Sequence, residues 1–533
     1  MANALPEHQR RRTFAIISHP DAGKTTLTEK FLLYGGAIHL AGSVRDRKRA
    51  SQTSSDWMEL EKQRGISVSS TVLQFEYEGF RVNLLDTPGH RDFSEDTYRV
   101  LTAVDAAVMV LDVAKGIEDQ TRKLFEVCRQ RGIPIFTFIN KCDRPGKEPL
   151  DLLDEVETTL GLKTFAVNWP IGTGPDFSGV YDRLDKKAYW YEKAKGGSEQ
   201  AVETITDLDD PAFKEKIPTD VQETFSDELS LVDGAGDAFD PAEVLSGELT
   251  PVYFGSAVNN FGVRLLLNGF LRHAPPPQPR ASNNGKIKPE DDPFSAFIFK
   301  IQANMDPRHR DRLVFMRVCS GKFHRDLQAI HTQTGKKIRL SFAHQLFGQE
   351  RETQDEAWPG DILGITGQSG LGIGDTLSEK ADLVFTPIPR FAPEAFVYLH
   401  NQETKNFKKF RTGLEQLLQE KVVQQFFPLQ SAAQIPLLGA VGPLQFDVVR
   451  HRLEGEYGAT TRTEPAPWKV TRWIDAKVEK TALEGLFLTG AVLAEDEDGN
   501  LALLFESEWN WHYFARENPD IPLLTTPPNA SLA

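Results

Sequence analysis

The chain has 533 residues, of which 40% are hydrophobic and 26% charged, and its net charge at pH 7 is −15. This length exceeds what one hydrophobic core usually organises, so we expect two to four domains. No apolar run approaches the ~20 residues that span a bilayer, and the N-terminus lacks a signal-peptide pattern. Three cysteines are too few for a disulfide framework and have no metal-ligand spacing, so we expect a cytoplasmic protein.

The charge is unevenly distributed along the chain. Residues 195–250 hold fifteen Asp or Glu against three Lys, whereas residues 300–350 hold ten Lys or Arg against four acids. The second segment predicts a basic face that could meet RNA phosphates, and the first predicts an acidic appendage that points away from them. Ordinary solvated surface explains both segments equally well.

The first part of the chain, residues 1–277, alternates short apolar runs with helical patterns. Such runs are typical of strands in a parallel sheet that is buried on both faces, and their alternation with helices predicts a doubly wound α/β domain. The predicted strands are residues 14–18, 82–86, 106–112, 133–140 and 252–255, and the predicted helices are residues 24–34, 117–130, 150–160 and 262–273. An insertion of about residues 162–250 precedes the last strand.

After a stiff linker that starts with the prolines at 275–277, the pattern changes twice. Residues 278–390 contain short strands separated by turn residues, which predicts a β-barrel domain with strands at 294–302, 313–320, 336–341 and 361–366. Residues 391–533 predict a ferredoxin-like α+β domain, because strands and helices follow the split βαβ order. Its elements are predicted at residues 395–399 (strand), 405–420 (helix), 422–426 and 433–440 (strands), 444–456 (helix) and 459–462 (strand).

A phosphate-binding loop is predicted where the first strand meets the first helix. Such a loop needs consecutive backbone N–H groups at a helix N-terminus and a compact cation. Gly23 permits close approach of the backbone, Lys24 would reach the β- and γ-phosphates, and the Thr25 hydroxyl would hold Mg²⁺. Ser18 stands where the general motif has its first glycine, so a chance loop remains the alternative. The other nucleotide-binding positions that we assign to this loop are His19, Asp21, Ala22 and Thr26.

A second segment follows the second predicted strand, where residues 86–90 read Asp-Thr-Pro-Gly-His. The Asp86 carboxylate can hold the water shell of Mg²⁺, and the Gly89 N–H can sense a γ-phosphate. The alternatives are a helix N-cap for Asp86 and an ordinary surface histidine for His90. The phosphate loop upstream favours the functional interpretation, because both parts are needed together.

Two further segments predict which base is bound. Asn140, Lys141 and Asp143 follow the fourth predicted strand, and a carboxylate at Asp143 can accept both the N1–H and the 2-amino group of guanine. Adenine offers neither donor, which disfavours an ATP-dependent kinase. After the last predicted strand, Ser256 and Ala257 offer backbone N–H groups that could meet the guanine carbonyl. All four segments lie at the carboxyl end of a strand, where open α/β sheets bind ligands, so the α/β domain is predicted to be a P-loop GTPase domain.

These segments resemble the translational GTPases, whose phosphate loop ends His-x-Asp-x-Gly-Lys-Thr, as residues 19–25 do. The run Glu-Lys-Gln-Arg-Gly-Ile-Ser that ends at Ser67 is similar to the first switch of that superfamily, in which threonine usually stands at this last position. The resemblance implies that Ser67 joins Thr25 and Asp86 in holding Mg²⁺. It also implies that His90, which follows Asp-Thr-Pro-Gly, is the catalytic histidine.

Within that superfamily, nearly the whole chain resembles the family of bacterial peptide-chain release factor three. The similar segments are residues 18–21, 31–42, 55–67, 255–262 and 442–448. The resemblance implies a ribosome-dependent GTPase that uses GTP/GDP and Mg²⁺ and promotes dissociation of class-one release factors from the ribosome after translation termination. Its partners would be ribosomal RNA and proteins, and we expect a monomer without membrane contact.

Two alternatives stay open at this point. Another ribosomal GTPase, such as a translocase-like or stress factor, would carry the same nucleotide motifs. A nucleotide-bound ribosome-binding factor with negligible hydrolysis is left open by Ser18 and Ser67, which depart from the usual pattern. The first alternative is tested by measuring whether the protein evicts a release factor or moves tRNA and mRNA. The second is tested by measuring GTP turnover in the presence of ribosomes.

Overall fold

The computed structural model describes residues 5–37, 69–192, 202–208, 210, 217–235, 238–303, 312–347, 350–368, 370–429, 435–478, 483 and 488–528. The first-switch segment, with the Mg²⁺ ligand expected at Ser67, lies outside these residues. None of the described helices combines the length and the apolar composition that a membrane crossing requires.

A mostly parallel sheet forms the centre of the α/β domain. Its strands are β1 (Arg11–Ser18), β2 (Thr71–Tyr77), β3 (Phe80–Asp86), β4 (Ala106–Asp112), β5 (Ile135–Asn140), β6 (Lys163–Ala166) and β11 (Leu249–Phe254), with β7 to β10 in the insertion. The order is β2-β3-β1-β4-β5-β11-β6, and only the β2–β3 pair is antiparallel. Every predicted strand is present. Thr164 of β6 pairs with Thr250 of β11, so β6 belongs to the central sheet, and the insertion limits of about residues 162–250 stay a prediction.

Helices cover both faces of this sheet. They are α1 (Lys24–Tyr34), α2 (Ser94–Thr102), α3 (Asp119–Gln130), α4 (Pro149–Leu160) and α7 (Val263–His273). Phe14 of β1 packs into the core beneath α1 and α7, with its ring centroid 4.3 Å from that of Phe270, while Ala15 enters the opposite core beneath α2 and α3. Because alternate side chains enter two cores, β1 is buried along its whole length, as the apolar runs predict. The helix α2 is not foreseen by the sequence pattern.

The insertion builds an antiparallel sheet of its own. Its elements are β7 (Asn168–Ile171), β8 (Gly179–Asp182), β9 (Lys187–Glu192), β10 (Val202–Thr206), α5 (Thr219–Ala235) and α6 (Pro241–Ser246). The buried Trp169 of β7 contacts Phe254 of β11, with ring centroids 5.4 Å apart, and its Nε1 donates to Glu228 of α5 at 2.9 Å. The insertion therefore shares a core with the strand that leads to the predicted guanine loop, and it is more than an acidic appendage.

The second domain is a curled antiparallel sheet, as the β-barrel prediction requires. Its strands are β12 (Arg280–Ser282), β13 (Gly285–Ile287), β14 (Ser295–Ala303), β15 (Arg312–Ser320), β16 (Phe323–His324), β17 (Leu327–His331), β18 (Lys336–Leu340), β19 (Ala343–Phe347), β20 (Glu350–Thr353), β21 (Glu356–Ala357), β22 (Ile362–Ile365) and β23 (Thr376–Ser378). The main sheet has the order β18-β17-β23-β14-β15-β22-β19. Phe347 of β19 also pairs with Leu73 of β2, so this sheet continues the central sheet.

The third domain has the predicted ferredoxin-like order. The strands β24 (Ala395–Asn401), β25 (Gln424–Pro428), β26 (Leu437–Ala440) and β27 (Thr461–Pro465) alternate with the helices α8 (Phe407–Gln419) and α9 (Leu444–Tyr457) and form the sheet β27-β24-β26-β25. Pairing of β25 with β29 extends the sheet by strands that the sequence pattern does not reveal, and α10 lies beside them. These additions are β28 (Val470–Ile474), β29 (Ala491–Asp496), β30 (Leu501–Phe505), β31 (Leu523–Leu524) and α10 (Glu508–Glu517). The domain limits at residues 277 and 390 stay predictions.

Candidate GTP-binding site

The loop between β1 and α1 has the geometry of a phosphate site. Gly23 is the N-cap of α1 with a φ of 101°, in the left-handed region, and no side chain caps this helix end. A methyl group at Gly23 would overlap the Asn140 amide, so space as well as conformation requires glycine. In the described part of the chain, the backbone N–H groups of residues 23–26 have no hydrogen-bond partner, and Leu27 is the first to donate into the helix. Free N–H groups at a helix N-terminus bind phosphate.

Lys24 connects the phosphate loop to the Asp86 segment. Its side chain is only 7% exposed, and its Nζ lies 2.6 Å from Oδ1 of Asp86, which ends β3 and is also buried. Thr25 is half-buried in the first turn of α1. Hydroxyl and carboxylate oxygens are the ligands that Mg²⁺ prefers, so Thr25 and Asp86 fit the metal role assigned to them.

Asn140 joins the phosphate loop to both base-reading loops. Its buried Nδ2 donates to the carbonyl oxygen of Ala22 at 2.8 Å, and its Oδ1 accepts the N–H of Ala257 at 2.9 Å. The same Oδ1 accepts the N–H of Lys141 at 2.9 Å. One amide therefore sets the spacing between the loops that follow β1, β5 and β11.

Lys141 makes a second link at the same edge of the sheet. Its Nζ donates to the carbonyl oxygen of Asp21 and to Oδ2 of Asp112, both at 2.6 Å. Burial opposes the charge of Asp112, but hydrogen bonds from Lys141 and from the Ala114 N–H outweigh it and hold the pKa of this carboxyl below its usual range. The motif spacing does not identify Asp112 as a site residue. Asp112 can be identified as a site residue because it stands at the carboxyl end of β4, level with the other site residues.

Asp143, Ser256 and Ala257 are the residues predicted to contact the base. Asp143 is half-buried, and its carboxylate has no hydrogen-bond partner among the residues that the structure describes. Ser256 exchanges two backbone hydrogen bonds with Phe261, with N–O distances of 2.9 and 3.0 Å. The Ser256 N–H thus has a partner within the loop, and its assignment as a donor to the guanine carbonyl stays a prediction. The Ala257 N–H likewise donates to Oδ1 of Asn140, and its assignment to that carbonyl also stays a prediction.

The segment that carries His90 lies against the phosphate loop. A methyl group on Gly89 would lie 3.6 Å from the backbone nitrogen of Pro20. The His90 side chain is 34% exposed, and its Nδ1 accepts the N–H of Asp92 at 3.2 Å, which leaves the proton of a neutral ring on Nε2. The imidazole is thus oriented by its own segment and remains accessible.

His19 has a different environment from the one expected of a nucleotide ligand. Its side chain is buried, and its Nδ1 lies 2.5 Å from Oε2 of Glu118, the residue before α3. Burial lowers the pKa of His19 in spite of the attraction of Glu118. The ring therefore connects the loop to the start of α3, and the assignment of His19 as a nucleotide-binding residue stays a prediction. Thr26, in the first turn of α1, offers its backbone N–H.

Family models match three consecutive parts of the chain. Residues 9–276 match the elongation factor Tu GTP binding domain, residues 293–380 match elongation factor G domain 2, and residues 385–515 match the class II release factor RF3 C-terminal domain. Together with the loops that meet at one edge of the central sheet, these matches define a translational GTPase. Proteins of this class bind GTP and GDP with Mg²⁺ and hydrolyse GTP.

Comparison with similar proteins shows to which family of translational GTPases the chain belongs. The chain is 53% identical over 513 residues to the peptide chain release factor 3 of Gloeobacter violaceus, an alignment that covers 96% of each chain. It is 52% identical over 519 residues to that of a Cyanothece species, with 97% of this chain and 95% of the relative covered. A crystal structure from Thermus thermophilus matches with a TM-score of 0.69 at 25% identity and covers 91% of this chain and 72% of that one. The chain belongs to the peptide chain release factor 3 family and is a GTPase of translation termination.

Proposed function

We propose that the GTP-bound protein engages a terminated ribosome that still holds a class-one release factor, drives that factor off, and then hydrolyses GTP in order to leave. The ribosome stimulates the hydrolysis, and the protein acts as a cytoplasmic monomer. The observation that carries this proposal is a direct contact between the His90 segment and the third domain, which is the part of the chain that matches the RF3 C-terminal domain.

Different residues of the nucleotide site bind the phosphates, the guanine base and Mg²⁺. Lys24 and the N–H groups of residues 23–26 bind the phosphates, and Asp143 with Ala257 selects guanine. Thr25, Ser67 and Asp86 would hold Mg²⁺, which neutralises charge on the phosphate oxygens when it is bound.

His90 is assigned a role in catalysis and not in binding the GTP phosphates. His90 orients the attacking water, since it follows the glycine whose N–H senses the γ-phosphate. Its accessible ring leaves room for the ribosome to position it.

The contact with the third domain is a helix cap supplied from another domain. Asp92, two residues after His90, accepts the N–H of Leu444 at the start of α9 with its Oδ2 at 2.8 Å. Arg91 also lies 3.2 Å from Glu394 at the entrance to β24. Any shift of this segment toward a γ-phosphate therefore moves or breaks a hydrogen bond of the third domain.

The other flank of the nucleotide site is tied to the barrel. Lys300 of β14 donates from Nζ to the hydroxyls of Ser69 and Ser70, at 2.8 and 2.7 Å, just after the first-switch segment. The Ser70 N–H donates to Oδ2 of Asp96 in α2 at 2.8 Å. Burial opposes the charge of Asp96, but Lys300 and Arg99 lower the pKa of this carboxyl. A γ-phosphate that orders both switches would thus select one arrangement of the three domains, which is a population shift driven by differential contacts.

The expected basic face at residues 300–350 is smaller than its sequence suggests. Lys300 and Arg317 are buried and bind partners inside the protein. Lys336 and Lys337 are exposed on β18 and remain available to ribosomal RNA, with the salt-sensitive affinity of phosphate contacts. Residues 304–311 lie outside the described part of the chain.

The test is release-factor departure from a terminated ribosome. A labelled class-one release factor should leave rapidly when this protein is added with GTP or with a non-hydrolysable GTP analogue, and slowly with GDP. Lys24→Ala, which removes phosphate binding, is the matched control and should be inactive. Movement of tRNA and mRNA without loss of the factor would favour a translocase-like GTPase. Eviction without GTP turnover would favour the factor with negligible hydrolysis.

A further inference from the structure

A cavity of about 330 Å³ lies between the GTP-binding domain and the barrel. Its walls come from the end of α2, the turn between α3 and β5, the β12–β13 hairpin and residues 385–388. The turn before β5 stands at the amino end of the parallel strands, so the cavity is on the opposite edge of the sheet from the nucleotide loops.

The lining of this cavity is positively charged. Arg131, Arg280 and Lys286 line it, and its lining, all of it within the described ranges, includes no acidic side chain. Arg280 is 19% exposed and donates to Oδ1 of Asp105 at 2.8 Å, while Arg317 donates to Oδ2 of the same carboxylate at 2.5 Å. Two arginines therefore share the carboxylate of Asp105.

Arg131 is the cation left without an anion. Its guanidinium carbon lies 4.6 Å from the ring centroid of Tyr98, and its side chain makes no hydrogen bond within the part of the chain that the structure describes. The Nε groups of Arg131 and Arg280 are both buried and have no hydrogen-bond partner among the described residues. Burial lowers the pKa of Arg280, and the charges of Arg317 and Arg131 add to this effect against the attraction of Asp105. Unpaired buried donors and unbalanced charge are both costly, so an anion bound here would be stabilised.

Apolar walls complete the cavity beside these arginines. Ile133 and Ile388 line it together with Phe297 and Phe385, whose ring centroids are 5.8 Å apart in an edge-to-face arrangement. Small-molecule sites combine such walls with a few convergent polar groups.

We propose that this cavity is a second ligand site, which binds a small organic anion between Arg131 and Arg280 and packs the apolar body of that anion on Phe297 and Phe385. The anionic group is a phosphate or a carboxylate, because guanidinium groups recognise both. The ligand contacts residues of both domains, so its binding stabilises their association.

The proposal can be tested by calorimetry on the full chain with its nucleotide site saturated by a non-hydrolysable GTP analogue, so that the phosphate loop is filled. The probes are phenyl phosphate and benzoate, with benzyl alcohol as the neutral probe. At least one anion should bind and the alcohol should not, and the comparison of the two anions identifies the preferred group. Arg131→Gln should weaken binding roughly tenfold to a hundredfold, the loss expected for a charge-assisted hydrogen bond.

Arg122→Gln is the matched control, because it removes an exposed arginine of α3, the helix that precedes Arg131, and should leave the affinity unchanged. If Arg131→Gln fails to fold, Lys286→Gln, at an exposed lining position, should weaken binding a few-fold. Absence of binding by both anions up to about 10 mM, or unchanged affinity in the folded variants, would overturn the proposal.

Discussion

Single side chains connect the loops of the nucleotide site to one another. The buried carboxylate of Asp86 keeps Lys24 in the loop, and Asn140 keeps the phosphate loop and the guanine loop at one distance. Phosphate groups must compete with Asp86 for the lysine, whereas the contact of Asn140 with the Ala22 carbonyl can persist with nucleotide present. The residues that position the loops are therefore distinct from the residues that bind and react, and substitutions should separate these roles.

We expect His90→Ala to retain GTP affinity and ribosome binding and to lose ribosome-stimulated hydrolysis. The ring is accessible and is held by the Asp92 N–H of its own segment, so its contribution belongs mainly to the transition state. The loss should be at least ~10²-fold in the hydrolysis rate, or about 3 kcal/mol, by comparison with removal of one preorganised polar group.

Single-turnover hydrolysis on ribosomes and GTP affinity in their absence decide this prediction. His512→Ala, at an exposed position on α10, is the control and should behave like the wild type. A collapse of GTP affinity in His90→Ala would instead identify a binding residue.

We expect Asp143→Asn to shift the preference of the site from GTP toward xanthosine triphosphate. The substitution replaces an acceptor with a donor opposite the 2-position of the base, where guanine has an amino group and xanthine a carbonyl. Competition binding of the two nucleotides measures the change. Asp154→Asn, on the exposed face of α4, should keep the GTP preference, and the same result for Asp143→Asn would contradict the assignment.

At the scale of elements, the N-terminus of α9 connects the His90 segment to the third domain. Gly442 precedes this helix, and a methyl group there would overlap the Asp92 carboxylate that caps Leu444. We expect Gly442→Ala to displace that carboxylate and to weaken docking of the third domain by about 1 to 2 kcal/mol, the usual cost of a lost cap with local overpacking. GTP affinity should stay unchanged while ribosome-stimulated hydrolysis falls.

The same helix offers a matched control for that substitution. Gly455 is exposed and has open space around it, so Gly455→Ala should stabilise α9 by up to about 1 kcal/mol. Denaturant unfolding of both variants, with GTPase assays on ribosomes, compares them. Equal behaviour of the two variants would show that the contact with Asp92 does not couple the domains.

At the scale of the whole molecule, an ion cluster joins the barrel to the third domain. Arg452 of α9 makes a bidentate contact with Glu420, at 2.6 and 3.0 Å, and Glu420 accepts the N–H of Ala303 in β14 at 2.8 Å. Burial opposes the charge of Arg452, but Glu420 and Glu456 outweigh it and raise the pKa of Arg452 above its ordinary value. The arginine therefore stays charged in a desolvated interface and depends on its partners.

We expect Arg452→Met to destabilise the protein by roughly 3 to 5 kcal/mol, because it leaves the Glu420 carboxylate buried without its partner. Arg450, two positions earlier on the same helix, is 47% exposed, and Arg450→Met should change stability by no more than about 0.5 kcal/mol. Denaturant unfolding in the presence of GDP measures both. A small effect of Arg452→Met would mean that the cluster is replaceable by apolar packing.

Features that depend on residues close together in the chain could be predicted from local patterns. The runs that form β1, β3 and β4, the helix α1, and the loops at Gly23 and Asp143 all follow from hydrophobic period and residue spacing within a few turns. The ferredoxin-like order of the third domain follows for the same reason. Family resemblance then connected these local features to translation.

Features that depend on residues far apart in the chain could be recognised only from the tertiary structure. The cap on Leu444 comes from Asp92, 352 positions away, and Arg317 reaches Asp105 across 212 positions. No local pattern distinguishes a buried lysine such as Lys300 from a solvated one, so the basic segment could not be divided into surface and core. The strand β6 and the extra strands after β27 were also missed, because pairing with a distant neighbour, and not local propensity, holds a short strand in a sheet.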